Sequence, residues 1–223
     1  MEDLKTKDLF LEGKQIVLGL SGGIDSVVLL HYLNTHYPNK TRVIHCNHHL
    51  SQYCNEWDKF CKKLCSSLNI TYLNIDLSFN STSNIEENAR KKRYHSLSNS
   101  LKKNEILCTA HHQNDQAETL LLQLFRGSGI KGLAAMPKEK PLGKGIHYRP
   151  FLVINKSQII NYAKNNKLSW IEDGELVTET DIFPIDVQTK NKAEYLVDKT
   201  KDNKNLCIRL DHIKKMRILN KYD

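Results

Sequence analysis

The stretch Gln15–Tyr32, QIVLGLSGGIDSVVLLHY, constrains the fold of this chain more than any other. Ile16–Leu20 is a short, branched apolar run that suits a buried strand. Val27–Leu30 opens a second apolar run of helical character. Between them lies Ser21-Gly22-Gly23-Ile24-Asp25-Ser26. The paired glycines permit a tight turn whose consecutive N–H groups face one concavity. The following helix brings the positive end of its dipole to the same place. Strand, glycine turn and helix start together predict an anion site, phosphate above all.

The details narrow that prediction. No G-x-x-x-x-G-K-S/T run is present and no lysine sits in the turn, and the dinucleotide G-x-G-x-x-G is absent as well. In the S-G-G-x-D-S that remains, Ser21 and Ser26 offer hydroxyl donors to phosphate oxygens and Asp25 offers a carboxylate to Mg²⁺. The plainer alternative is an ordinary strand-to-helix turn with Ser26 or Asp25 as N-cap.

A chain of 223 residues accommodates one large domain, or one domain with a small appendage. No apolar run reaches spanning length and Met1–Phe10 is charged rather than signal-like, so no membrane association and a cytoplasmic location are expected. A net charge of +8 fits an anionic partner such as RNA, or a lysine-rich solvated surface. The six cysteines contain no C-x-x-C; Cys61 and Cys65, four apart, suit packing on a helix better than a bridge. Cys46 with His48 and His49 fits no standard zinc spacing.

Strand and helix patterns alternate along the chain. Thr41–Cys46 reads as a second strand, Glu56–Leu68 as a helix, Ile70–Leu77 as a third strand. A polar loop, Ser78–Asn84, precedes a helix from about Ile85. Glu105–Ala110 reads as a fourth strand and Thr119–Phe125 as a strongly apolar helix. Lys131–Gly145 reads as a loop, Ile146–Leu152 as a strand, Lys156–Asn166 as a helix, and Leu168–Ile171 as a last short strand. The alternation predicts an α/β fold: a doubly wound, mostly parallel sheet with helices on both faces. Ligands of such sheets bind beyond the carboxyl ends of the strands. The turn 21–26, Asn47-His48-His49, and His111-His112-Gln113-Asn114-Asp115 all fall there.

Asp115 and Glu118 are three apart at a helix start. They serve either as a carboxylate pair for Mg²⁺ or a substrate ammonium, or as a capping box with Asp115 as N-cap. His111 and His112 either approach the phosphates or a substrate oxygen, or bond a nearby backbone group; His111 is the candidate carried forward. Arg90 and Arg93 share one helix face and suit phosphate of ATP or RNA, with Lys91 and Lys92 reading as solvated. Arg93 joins the candidate catalytic residues.

SGGIDS, HCNHHL, ARKKRY, TAHHQNDQAETLLLQLFRGSGIKGLAAM, RPFL and WIED, in this order, resemble the N-terminal domain of the tRNA(Ile)-lysidine synthases, members of the PP-loop ATPase superfamily. The resemblance runs from about Gln15 to Asp173. It implies an adenine nucleotide alpha hydrolase-like fold, with residues 1–173 as a catalytic domain and 174–223 as an atypical polar, basic tail. It also implies the reaction. ATP adenylates the C2 oxygen of the wobble cytidine in a CAU-anticodon tRNA(Ile), and the ε-amine of free L-lysine then displaces AMP. The turn 21–26 would grip pyrophosphate and Asp25 would hold Mg²⁺. Asp115 and Glu118, matching the family's acids, would orient lysine or metal.

The chain departs from the family pattern after Asp173, where Gly174-Glu175-Leu176-Val177 replaces a Ser-Asn turn and a basic Arg-Asn-Phe segment. A minimal enzyme, acting as a monomer or a homodimer, is one expectation. A truncated, non-catalytic ATP- and RNA-binding paralogue is another, and a different PP-loop tRNA-modifying enzyme a third.

Overall fold

The computed structural model describes residues 4, 8–49, 53–77, 85–125, 135–172, 175–177, 186–190, 193–199 and 205–209, the last three stretches as backbone. The elements are β1 (Gln15–Gly19), α1 (Ile24–His36), β2 (Thr41–Asn47), α2 (Cys54–Ser67), β3 (Thr71–Asp76), α3 (Ile85–Ser100) and β4 (Glu105–Cys108). They continue as α4 (Gln113–Phe125), β5 (Glu139–Leu142), β6 (Gly145–Tyr148), α5 (Lys156–Asn165), β7 (Trp170–Glu172) and β8 (Glu175–Val177). The last strands are β9 (Asp186–Lys190), β10 (Ala193–Lys199) and β11 (Asn205–Arg209).

Six strands form one sheet in the order β3-β2-β1-β4-β6-β5. All neighbours are parallel except the edge pair β5–β6. The chain winds outward from β1 through β2 to β3, then returns to place β4 on the other side of β1. Strand order therefore reverses between β1 and β4, and a crevice opens at their carboxyl ends.

The burial of β1 explains its central place. Ile16 and Leu18 face a core shared with α1, with Cys61 and Cys65 of α2 and with Ile159 and Ala163 of α5. Val17, between them, faces Ile44, Leu97, Leu101 and Leu107 on the other side. Period-two side chains thus bury both faces of one strand, and the doubly wound sheet follows. Cys61 and Cys65 are free, buried thiols, in keeping with packing rather than bridging.

Three expectations need correction. The loop read over Lys131–Gly145 contains β5, which pairs with β6 in a hairpin. Its Lys, Glu and Pro content conceals it, yet an edge strand tolerates Pro141 because one side needs no ladder donor. The strand read over Ile146–Leu152 ends at Tyr148, before Arg149-Pro150. The tail read as weakly patterned includes an antiparallel sheet, β11-β10-β9, with Leu196 opposite both Val187 and Ile208. Short apolar runs there are hidden among lysines, asparagines and aspartates.

The expected Leu168–Ile171 strand falls at Trp170–Glu172 and pairs antiparallel with β8 outside the main sheet. Among the described residues, no helix is long and apolar enough to cross a membrane. The Ser78–Asn84 loop and the segment 126–134, with most of RGSGIKGLAA, lie outside the described residues, as does Asp173.

Candidate active site

The turn after β1 is built as the sequence predicts, with a different internal logic. Gly23 is the N-cap of α1 and no side chain caps that helix, so neither Ser26 nor Asp25 is the cap. Ser26 is buried inside the turn. Its Oγ accepts from the Ser21 and Gly22 N–H groups at 3.2 Å each and donates to the Gly23 carbonyl at 2.9 Å. Ser21 Oγ lies 3.0 Å from Ser26 Oγ and accepts from Gly23 N–H. Ser26 thus fills the concavity with a hydroxyl and holds the loop in shape, while Ile24 is a buried core residue.

The glycines divide the work. Gly22 has φ +96°, and a Cβ there would lie 3.1 Å from Ile171 and 3.2 Å from Cys61. The backbone closes against α2 and β7, and Ile171 N–H donates to the Gly22 carbonyl. Gly23 is different: a Cβ there would meet nothing nearer than Ser21 Oγ at 3.7 Å. The protein leaves open space above an uncapped helix N-terminus, where a phosphate group fits.

Asp25, in the first turn of α1, is the hub of the crevice. Lys156 Nζ donates to both of its carboxylate oxygens at 2.9 Å. Lys156 is the first residue of α5, fixed by a capping box between Asn155 and Gln158. His112 Nε2 lies 3.6 Å from Asp25 Oδ1 and His112 Nδ1 lies 3.7 Å from Asp115 Oδ2. One buried imidazole therefore stands between two carboxylates from different elements.

Asp115 is not the N-cap of α4. The helix begins at Gln113, two residues earlier, and Asp115 takes the third position, accepting from the His112 N–H at 2.7 Å. This is the reciprocal half of a capping box, and it fixes the histidine backbone. Glu118, one turn on, is exposed and makes no hydrogen bond or ion pair among the described residues.

His111 turns the other way. Its Nδ1 lies 2.8 Å from Thr109 Oγ1, which is also 2.8 Å from His147 Nε2. Burial, and then the charge of Arg149, push the His111 imidazole down to about 4, so it is neutral near pH 7. Arg93 is half-buried; its charge bears on Cys46, His48 and His111, at the ends of β2 and β4.

Sequence reasoning missed Lys156, which lies 131 residues from Asp25, and passed over His112 in favour of its neighbour. A lysine at the first position of a capped helix was the only available signal for the first. Among the described residues, no group of three His, Cys, Asp or Glu side chains could hold a metal ion. Mg²⁺ needs less when phosphates supply oxygens, and Asp25 already faces a cationic group. The donor set fits that ion.

A profile of the ATP-binding PP-loop domain matches residues 2–177. The chain is 45% identical over 161 residues to the tRNA(Ile)-lysidine synthase of Coxiella burnetii (strain RSA 493), covering 70% of this chain and 36% of that protein. It is 43% identical over 162 residues to the tRNA(Ile)-lysidine synthase of Legionella pneumophila (strain Lens), covering 72% and 38%. The chain thus spans less than two-fifths of the length of these relatives. Among solved structures, the U34-tRNA thiolase NcsA of Methanococcus maripaludis, with its 4Fe-4S cluster, shares the fold: TM-score 0.61 at 20% identity, over 77% of this chain and 64% of that one.

Proposed function

The chain belongs to the PP-loop domain family, and from that premise we propose that it is the catalytic unit of a tRNA(Ile)-lysidine synthase. The reading rests on the matched relatives and on one observation above all: Asp25, Lys156 and His112 meet beside the open N-terminus of α1. In the proposed reaction the cytidine C2 oxygen attacks the α-phosphorus of ATP and pyrophosphate leaves. The ε-amine of L-lysine then attacks C2, AMP leaves, and the amine gives up its protons to a base.

Each residue has a task in this scheme. The N–H groups at the start of α1 and the Ser21 hydroxyl hold the pyrophosphate oxygens. Asp25 would hold Mg²⁺, which would neutralise phosphate charge. Lys156, held at the mouth of the crevice beside Asp25, is placed to contact a phosphate oxygen. Asp115 and Glu118 attract the lysine ammonium, and His112, between Asp25 and Asp115, is the base. Arg93 and neutral His111 line the approach. Residues 1–173 form the catalytic unit and 174–223 an RNA-binding tail. The substrate tRNA carries a CAU anticodon, the location is cytoplasmic, and a homodimer would cover the exposed Leu121, Leu122 and Phe125 of α4.

The test is AMP formation from ATP by the purified protein. AMP that appears only with both L-lysine and CAU-anticodon tRNA(Ile) supports the synthase. ATP binding without AMP formation supports the non-catalytic paralogue instead.

A further inference from the structure

A second basic site lies beside the crevice, on the α3 and β5–β6 side. Arg90 and Arg93 of α3 place their guanidinium carbons 5.4 Å and 5.5 Å from the Tyr94 ring centroid. Lys140, from β5, places its Nζ 5.6 Å from the same ring. Three cations from two elements thus gather at one aromatic ring, whose quadrupole offsets their mutual repulsion. Beneath them Arg149 is only 2% exposed. Its Nη1 donates to the Pro137 carbonyl, and its Nε has no hydrogen-bond partner among the described residues.

Among the described residues, no carboxylate pairs with any of these four cations. That distinguishes them from Arg42, Lys91 and Lys156, each of which has an acid. Burial and the charges of Arg149 and Arg90 hold Lys140 below its ordinary value, as expected where like charges crowd without a counterion. A guanidinium buried without an anion is costly, and the arrangement is stable only if an anion is its ordinary partner. The position is equally specific. The His147 ring lies 5.4 Å from the Tyr94 ring and 6.2 Å from the His111 ring, so one imidazole separates the cluster from the crevice.

We infer that Arg90 and Lys140, ordered around Tyr94 above the buried charge of Arg149, form a phosphate-binding site for the RNA strand next to the nucleotide that enters the crevice. This rests on the tRNA reading given above and adds the surface that receives the backbone. The ligand is the phosphodiester of RNA and not the triphosphate of ATP, because the turn 21–26 and α1 already provide for the latter. Tyr94 is a positioning residue: it holds the cations without adding charge.

The test measures binding of unmodified CAU-anticodon tRNA and of ATP by the same preparations, between about 50 and 200 mM salt. Lys140→Glu is expected to weaken tRNA binding by roughly tenfold and to flatten its salt dependence by about 0.7 in the log–log slope for each phosphate no longer neutralised. Tyr94→Leu leaves net charge unchanged and is expected to weaken tRNA binding as well, whereas Tyr94→Phe, which keeps the ring, restores it. ATP affinity stays at the wild-type value in Lys140→Glu. Unchanged tRNA affinity and slope in Lys140→Glu would overturn the inference. So would a parallel loss of ATP affinity, which would assign the cluster to the nucleotide. A wild-type protein that binds ATP but shows no salt-sensitive tRNA binding would overturn the tRNA reading itself, and is distinguished by appearing before any substitution.

Discussion

Lys156 and Asp25 face each other across the mouth of the crevice, the ammonium 2.9 Å from both carboxylate oxygens. The pair joins the first turn of α1 to the first turn of α5, two helices that share one core on the same face of the sheet. Lys156→Met removes the cation and leaves the carboxylate partly in water. The expected result is a loss in turnover of roughly a hundredfold, the size of a lost phosphate-stabilising donor. Thermal melting should move by only a few degrees. Steady-state kinetics alongside a melting curve checks both.

Asp25 itself is the more sensitive of the two. Asp25→Ala is expected to abolish AMP formation while the protein stays folded, since the side chain faces the crevice rather than the core. Circular dichroism establishes the fold, and AMP release the activity. Wild-type turnover in this variant would remove the turn from the mechanism.

The paired glycines give a contrast within one loop. Gly22→Ala places a Cβ at φ +96° against Ile171 and Cys61, and should destabilise by about 1–3 kcal/mol. Gly23→Ala meets nothing closer than 3.7 Å and should cost under about 1 kcal/mol, yet it fills the space kept for phosphate. Denaturant melts should separate the variants one way and ATP titrations the other. Equal effects in both experiments would contradict the division of labour.

Stability should fall on mild acidification. His111 and His48 are pushed from 6.5 down to about 4, each chiefly by burial, then by Arg149 and Arg93 respectively. The unfolded chain takes up these protons first, so stability is complete above pH 6.5 and is lost as pH falls toward 4. Each contributes up to about 1.4 kcal/mol per pH unit in that window. Glu105, held low chiefly by its hydrogen bond to Arg42, adds its own loss only below its ordinary 4.5. Denaturation curves between about pH 7 and pH 4.5 test this, and His111→Gln should flatten them.

The sheet was legible because its strands carry their burial in the sequence. Ile16–Leu18 and Val43–Ile44 are short branched apolar runs, and such runs belong to strands covered on both faces. β5 was hidden because an edge strand needs neither apolar residues nor a full set of donors. The turn 21–26 was legible because two adjacent glycines, two hydroxyls and an acid exceed the needs of a cap. Its inner hydrogen bonds were not, since which hydroxyl turns inward is settled by packing. Lys156 was invisible for a different reason: its role depends on β6 lying beside β4, a pairing no local pattern encodes. The choice between His111 and His112 likewise depends on which of two adjacent rings the start of α4 turns toward Asp25.

The most direct test of the central claim is the mass of one nucleoside. The protein, with ATP, Mg²⁺, L-lysine and unmodified CAU-anticodon tRNA(Ile), would be incubated, and the tRNA digested for mass spectrometry. The account predicts a cytidine enlarged by lysine with loss of water, formed only when ATP is present and absent with Asp25→Ala. An unchanged cytidine from a protein that still binds ATP and tRNA would contradict it.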